Sequence, residues 1–536
     1  MQLSQLWQSY ISSSHTHTIK STLPPSIHIG HDPVITAITH DSRQVCKGSL
    51  YIALAGRNTH GIEYVTQAIA AGASALAIDC EQVLPTDFPH DFPYIRLAHP
   101  RIDMAYLSDV IYQQAQTSLT LVGLTGTNGK TTTSSLLAGM IKQYHGDVGL
   151  LGTVFTSGAG IQKSSTLTTM ESPALHQHFQ TLVQAGVKHC VMEVSSIGLA
   201  ESRVAACRFD RAAFLNLSED HLDYHQTMSA YAEAKLSLFT QHLADDAHIF
   251  INVDDAFGIQ LIDHLQKHKS SQQKLWTYAL HAHSILAPTR TFTSSSSNHV
   301  DIYWQTLTHH PDGLQGTLHT PWGTIPIHSH LLGEFNAYNL ALACSIACSL
   351  ELNVDHIQQG IHSTQVPGRM QWVDPSFHAS ILVDYAHSPD ALQRALQALR
   401  PYCQGHLYCL FGCGGDRDTS KRALMGQAAS HADMVILTND NPRFEDEWTI
   451  ALHALQGLEE KGYHRAPHIQ KGSTWIELDR AKAIQTSIES LQAGDVLLIA
   501  GKGHESYQEI AGHKYPFSDV THAQKVIHQV VHANQS

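Results

Sequence analysis

The sequence has no run of 18 apolar residues, so no membrane-spanning helix is expected. Its first stretch, MQLSQLWQSYISSSHTHT, has no basic segment leading into an apolar core, so no secretory leader is expected either. Nine cysteines occur with no CxxC and no framework spacing, which suits reduced thiols in a cytosol rather than a disulfide scaffold. There is no HExxH and no paired Cys/His spacing, so the 40 histidines read as scattered polar positions, not metal sites. Charged residues are only 15%, and the balance of 33 basic against 47 acidic side chains, −14, disfavours nucleic acid as a partner. No internal repeat is found, and no NKxD-type guanine signature, so a signalling GTPase gains no support.

What is present is a long chain of 536 residues, about three domains' worth. Its apolar content of 43% is enough for large cores and excludes wholesale disorder. VITAITHDSR, SLYIALAG, YVTQAIAAGA and ALAID read as short strands and a helix. From residue 119, LTLVGLTG predicts a strand and turn, and KTTTSSLLAGMIKQY a helix. HCVMEVSS, AAFLNLS and HIFINVDD follow as buried strands with polar C-terminal tips. The repeat of apolar strand, polar tip and helix predicts a parallel doubly wound sheet, with ligands at the strand C-terminal ends. PTRTFTSSSSNH (288–299) reads as a surface loop, LLGEFNAYNLALACSIACSL as a loop and apolar helix, and the Pro-Gly of QVPGRM (365–370) as a boundary. ASILVDYAH, HLYCLFGCGG, MVILTNDNPR and DVLLIAGKGHE then predict a further α/β sheet.

One loop carries specific chemistry. Gly126-Thr127-Asn128-Gly129-Lys130-Thr131, with Thr132 after it, forms a shortened phosphate loop, GxxGKT. Its glycines let backbone N–H groups turn toward phosphate oxygens, and the helix that starts there favours an anion. Lys130 suits the β- and γ-phosphates, and the Thr131 hydroxyl suits Mg²⁺. In this strand–loop–helix setting an ordinary Gly-rich turn is the weaker reading. The motif implies a nucleoside triphosphate and magnesium but no particular reaction. Glu193, at the end of VMEVSS, and His221, in NLSEDHLDYH, are residue types that ligate a divalent cation. On spacing alone this reading stands level with a capped helix start for Asp220 and His221 and, for Lys235 of YAEAK, a solvated helix face.

GTNGKTTT, MEVSS, NLSEDHLDYH, YAEAK and GEFNAYN together resemble the Mur ligase family, ATP-dependent amide ligases of peptidoglycan precursor synthesis. HDSRQVCKGSLYIALAGRNTHG resembles the family's UDP-binding start. VPGRM, DYAHSPDAL, FGCGGDRDTSKR, TNDNPR and GKGHE resemble its C-terminal domain, so the likeness runs from about residue 34 to 520. The pattern is nearest to members that add the third peptide residue, diaminopimelate or lysine, to UDP-N-acetylmuramoyl-L-alanyl-D-glutamate. DNPR is the form that diaminopimelate-adding members carry.

The resemblance implies a three-domain α/β protein: a small UDP-sugar-binding domain (1–115), a central parallel-sheet ATPase domain (116–365) and a Rossmann-like amino-acid-binding domain (366–536). It implies ATP and Mg²⁺ as cofactors. Its substrates would be UDP-N-acetylmuramoyl-L-alanyl-D-glutamate and meso-2,6-diaminopimelate, in the bacterial cytoplasm, with the protein a monomer. Ser42, Arg57, Asn58, Thr168, Thr169, Ser195 and Arg203 match positions that hold the UDP-muramoyl-peptide. Lys130, Lys235 and His221 match the catalytic set. Thr131, Glu193 and His221 match metal ligands, joined by Lys235 if CO₂ carbamylates it. Asn336 and Asn339 match the adenine side, and Arg369, Asp384 and His387 match residues that close over the nucleotide, with a hinge at 365–368. Arg417, Asp440, Asn441, Arg443, Gly501 and Glu505 match the diaminopimelate pocket: the arginines suit its distal carboxylate, and Asp440 and Glu505 its distal ammonium.

The chain departs from the pattern at four places. Ile197 stands where the family commonly has His, and Glu201 where it has Gln. The TTP-type turn appears as Thr168-Thr169-Met170-Glu171-Ser172-Pro173, and GKRP appears as Ser420-Lys421-Arg422-Ala423. A lysine-adding member, the D-alanyl-D-alanine-adding ligase, folylpoly-γ-glutamate synthetase and a non-catalytic nucleotide-binding homologue remain alternatives. DNPR and the DSR start argue against the second and third. Intact Lys130, Glu193, His221 and Lys235 argue against the last.

Overall fold

The computed structural model describes residues 1–12, 24–56, 59–282, 300–310, 313–374 and 376–533. Arg57, Asn58 and the 288–299 segment lie outside them. Three sheets follow one another along the chain, and each is covered by helices. The first has the order Ser26–His28, Tyr94–Leu97, Ala73–Asp79, Ser49–Ile52, Ala37–Thr39; only the pairing of the first two is antiparallel. The second has eight strands, six of them parallel, with Thr120–Thr125 between Phe209–Phe214 and His189–Glu193 at its centre. The third has seven strands: Val496–Ala500 lies between Ser380–Asp384 and Leu407–Phe411, and Met434–Leu437, Ser473–Ile476 and His464–Ala466 continue in parallel. The architecture is therefore the expected three-unit α/β arrangement with parallel sheets.

These strands form where the chain is apolar on both faces, as a sheet covered by helices on both sides requires. All five residues of Val496–Ala500 are buried, as are all five of His189–Glu193. Helix starts carry local signals. Pro173 and Pro389 stand in the first turns of Ser172–Gln184 and Pro389–Leu399, and Ser388, Asp255 and Asp446 cap helices through their side chains. The phosphate-loop helix Lys130–His145 packs against Glu334–Ser349 and Val354–Ser363, which buries its middle.

Two elements go beyond the sequence reading. A three-stranded antiparallel sheet, Tyr303–His310, Gly313–Thr320 and Gly323–Ser329, packs its buried face on the core of the second unit. A hairpin, Tyr507–Ile510 with His513–Pro516, follows the GKGHE loop.

The third unit is pinned internally by Arg480. Fully buried, it makes a bidentate pair with the equally buried Asp519 at 2.7 Å and donates to the carbonyls of Asn439 and Ala500, the tips of two strands. A buried arginine is tolerable here because its charge is paired with a carboxylate and four hydrogen bonds replace its hydration.

Candidate active site

The central strand Thr120–Thr125 ends at the phosphate loop. Asn216, at the tip of the neighbouring strand, clamps the loop: it accepts from Asn128 N at 2.8 Å through its side chain and from Thr127 N at 2.9 Å through its backbone, and it donates to Asn128 O at 3.1 Å. Gly129 has φ +89, and a Cβ there would lie 2.4 Å from Asn339 Oδ1, so both conformation and space call for glycine.

Two ammonium groups converge on one carbonyl. Lys130 Nζ donates to Gly126 O at 2.7 Å and Thr127 O at 3.0 Å; Lys235 Nζ donates to the same Gly126 O at 2.8 Å. Lys235 is 1% exposed, with its Nζ 4.4 Å from the Tyr231 ring centre. Burial, and then the Lys130 charge, push its amine well below the ordinary lysine value. Burial also lowers Lys130, against the pull of Glu193 and Asp220.

Glu193, also 1% exposed, accepts from Thr131 Oγ1 at 3.0 Å and from Thr153 N and Oγ1, both at 2.9 Å. His221 lies on the same cavity with a 44% exposed side chain and φ +54, and it starts the short helix Leu222–His225. A buried carboxylate beside a hydroxyl is a hard oxygen donor set that fits Mg²⁺. Among the described residues no three His, Cys, Asp or Glu side chains group as a metal site.

The cavity, about 350 Å³, lies between the second and third units. Asn336 and Asn339 line it, yet their amides are engaged: Asn336 donates to Leu332 O at 2.8 Å, and Asn339 to Asn336 Oδ1 at 2.9 Å. Tyr338 and Asp254, joined at 2.8 Å, stand beside them. From the third unit come Arg369, Asp384 and His387. The Arg369 guanidinium sits 4.5 Å over the Tyr385 ring and reaches Thr131 Oγ1 at 3.5 Å. Asp384 accepts from Met370 N at 2.6 Å and Ala386 N at 2.8 Å, so it holds the entry into the unit. His387 Nδ1 donates to Tyr385 O at 2.9 Å, which fixes the tautomer with Nε2 as acceptor.

Tyr385, on the wall of this cavity, also packs on the GKGHE loop, which gathers with the DNPR and GGDRD segments. Gly503 and His504 pack on Tyr385, and the Gly368 carbonyl accepts from Tyr385 N at 2.8 Å. Arg443 has a left-handed backbone, φ +54, held by the hairpin: its N–H donates to Glu509 O at 3.0 Å and its carbonyl accepts from Ala511 N. Its Nη1 donates to Gly415 O at 2.5 Å, and its Nε stands 3.6 Å from Glu509 Oε2. Exposed Arg417 flanks the same Gly414 as Arg443. Gly501, φ +108, lies so close to Asp440 that a Cβ would sit 2.7 Å from Oδ2.

Two sequence expectations change in detail here. Glu505 Oε2 is already held by Lys502 Nζ at 2.8 Å and Asn441 Nδ2 at 2.9 Å, so Glu505 also braces the pocket, and the fully buried Lys502 joins the candidate residues. Burial works to raise the Glu505 carboxyl, but the Lys502 ammonium and the hydrogen bonds from Lys502 and Asn441 together hold it below the ordinary value. The departure at Ser420–Ala423 keeps a fully buried Arg422, which pairs with both Glu445 oxygens at 2.6 Å and ties the GGDRD and DNPR loops together.

That clamp has a pH signature. The Arg422 hydrogen bonds pull the Glu445 carboxyl from its ordinary 4.5 down to about 2. A depressed folded value means the stabilisation is present above pH 4.5 and is lost as pH falls toward 2. Glu445→Gln is therefore expected to lower stability by about 2 kcal/mol at pH 6, with the gap to wild type closing toward pH 2. Thermal melts of both proteins across that range check it; a gap constant with pH would exclude the ion pair as its source.

Of the residues expected to hold the muramoyl-peptide, Thr168, Thr169, Ser195 and Arg203 gather beside Glu193. Thr169 Oγ1 donates to Glu193 O at 3.0 Å and accepts from Ser195 N at 2.9 Å; Thr168 Oγ1 meets Thr153 Oγ1 at 3.1 Å; Arg203 donates to Thr169 O at 3.0 Å. Ser42 opens a 3₁₀ turn, Ser42–Gln44, in the first unit.

The chain matches the Mur ligase family, catalytic domain over residues 34–110, the Mur ligase middle domain over 124–347 and the Mur ligase, glutamate ligase domain over 368–503. A UDP-N-acetylmuramoyl-L-alanyl-D-glutamate–2,6-diaminopimelate ligase from Synechocystis sp. is 38% identical over 92% of each chain. One of the same name from Geobacter metallireducens is 37% identical, over 89% of this chain and 91% of that one. A solved structure with that name superposes with TM-score 0.64 at 32% identity, over 98% of this chain and 99% of the other. The fold is shared also with MurF from Acinetobacter baumannii, TM-score 0.61 at 16% identity, over 98% of both chains. With family matches in all three units and relatives this close along nearly the whole length, the chain belongs to the Mur ligase family.

Proposed function

We propose that the protein is an ATP-dependent amide ligase that joins meso-2,6-diaminopimelate to UDP-N-acetylmuramoyl-L-alanyl-D-glutamate, in peptidoglycan precursor synthesis in the bacterial cytoplasm. The observation that carries the reading is the Lys130 cavity between the second and third units, with the Arg443 side chain held against the GGDRD loop in the third unit. The names of the relatives support the same substrates.

The D-glutamyl γ-carboxylate attacks the γ-phosphorus of ATP; an acyl phosphate forms and ADP leaves. The neutral amine of diaminopimelate then attacks the acyl carbon, the amide forms, and phosphate and a proton are released. Lys130 and the loop amides hold the β- and γ-phosphates and offset charge on the transferring group. Arg369 covers the phosphates from the third unit. Thr131, Glu193, His221 and a carbamylated Lys235 would hold Mg²⁺, which supplies further charge neutralisation when bound. The lowered Lys235 amine favours the neutral form that adds CO₂. Arg443 and Arg417 take the distal carboxylate, and Asp440 its neighbouring ammonium. No covalent enzyme intermediate is required.

The test measures phosphate release and product mass with ATP, Mg²⁺ and the UDP-muramoyl-dipeptide, adding diaminopimelate or L-lysine separately, in buffers with and without CO₂. Tripeptide only with diaminopimelate, at a rate that falls without CO₂ and returns with bicarbonate, is the expected result. Product with lysine alone would overturn the pocket assignment; indifference to CO₂ would overturn the role of Lys235.

A further inference from the structure

At the junction of the first and second units lies a charge network in which Arg203 alone is an expected substrate position. Arg101, on the helix Pro100–Ile111 of the first unit, reaches across the boundary. Its Nη2 meets Glu201 Oε2 at 2.8 Å, and its Nη1 stands 3.6 Å from Glu171 Oε2. Glu171 Oε1 in turn meets Arg203 Nε at 2.9 Å, and Tyr224 OH donates to Glu201 Oε1 at 2.7 Å. The 3.6 Å approach is too long for a hydrogen bond, so Arg101 Nη1 and Glu171 Oε2 are both buried with no hydrogen-bond partner. Burial holds His40, from the first unit, below its ordinary value, against the pull of nearby Glu171. The network thus balances two guanidiniums against two carboxylates.

Glu171 and Glu201 both lie at departures from the family pattern, beside Thr169 and Arg203. A carboxylate at 201 puts a negative charge next to the place proposed for a peptide that itself carries carboxylates. Unpaired, it would repel that substrate.

We propose that Arg101 is a positioning residue for the muramoyl-dipeptide: it neutralises Glu201 across the domain boundary and supports the Glu171–Arg203 pair, so that an anionic peptide meets no uncompensated negative charge. The inference rests on the substrate reading above.

The full chain and its Arg101→Ala, Arg101→Lys, Glu201→Gln and Arg101→Ala/Glu201→Gln forms are assayed with the UDP-muramoyl-dipeptide varied, then with ATP varied. Arg101→Ala is expected to raise KM for the dipeptide at least about tenfold and leave KM for ATP within about twofold, the size of one lost charge compensation. Arg101→Lys, which keeps the charge, and the double variant, which needs no counter-ion, are each expected within about threefold of wild type. An unchanged dipeptide KM in Arg101→Ala, a matching rise in KM for ATP, or a double variant as impaired as Arg101→Ala overturns the proposal. If melting shows Arg101→Ala unfolded, Glu201→Gln decides: it leaves one positive charge in excess and is expected to lower the dipeptide KM about two- to threefold, while an unchanged or raised KM overturns the inference. A wild-type protein that turns over no dipeptide overturns the substrate reading itself; turnover with Arg101→Ala unaltered overturns only this one.

Discussion

Replacing Lys130 by Ala is expected to cut kcat for amide formation by at least about 10³-fold, on the order of 4 kcal/mol of transition-state stabilisation. The ammonium is fixed by Gly126 O and Thr127 O at the point where the loop turns into the helix, so its charge is already in place before any phosphate arrives. Its contribution grows as charge spreads over the transferring phosphoryl group, so kcat falls much more than affinity for ATP. A second loss follows from the shared carbonyl. With Lys130 gone, one cause of the low Lys235 value disappears, and Lys235 becomes a poorer acceptor of CO₂. Single-turnover phosphate release with the folded variant measures the effect, and a kcat within tenfold of wild type would remove Lys130 from the chemistry.

The second large effect is on choice of amino acid. Arg443→Ala is expected to shift the ratio of kcat/KM for diaminopimelate over lysine by about 10²-fold or more, through loss with diaminopimelate and little change with lysine. The guanidinium is aimed by three constraints at once: a left-handed backbone, the Gly415 carbonyl, and the Glu509 carboxylate behind it. A residue held in that conformation is costly to keep and is kept only where its direction counts. Arg443→Lys is expected to recover little, because an ammonium cannot reproduce two parallel N–H bonds to a carboxylate. Competition between the two amino acids in one reaction reads the ratio directly; an unchanged ratio would sink the assignment.

What can be read from sequence here depends on how local the feature is. The phosphate loop is six contiguous residues, and the strands that end in it are apolar on both faces, so both are legible. Residues that act through distant partners are not. Asn216 clamps Asn128 from 88 positions away, and Lys502 becomes part of the pocket only because Asn441 folds beside it. Arg101 meets Glu201 across two separately folded units. Some legible signal is also easily passed over. GTIPIHS buries Ile325, Ile327 and Ser329 at every second position, a clear half-buried strand. YWQTLTHH, at the other edge of the same sheet, is mostly exposed and carries no such pattern. The asparagines of GEFNAYN show a different limit. Their position on the cavity follows from the motif, but the bonds that orient them, Asn336 to Leu332 O and Asn339 to Asn336 Oδ1, are visible only in the fold.

The contact between Gly368 and the Gly503–His504 backbone has an evolutionary consequence. The linker that joins the third unit to the second is strapped to the GKGHE loop and to Tyr385. Under the proposed function, a rotation about the expected 365–368 hinge would carry the DNPR, GGDRD and GKGHE segments along as one finished piece instead of assembling them. Acceptor preference is then a property inherited with one segment of chain. It is free to change by substitution or by exchange of that segment, while the phosphate loop and the muramoyl site need no retuning.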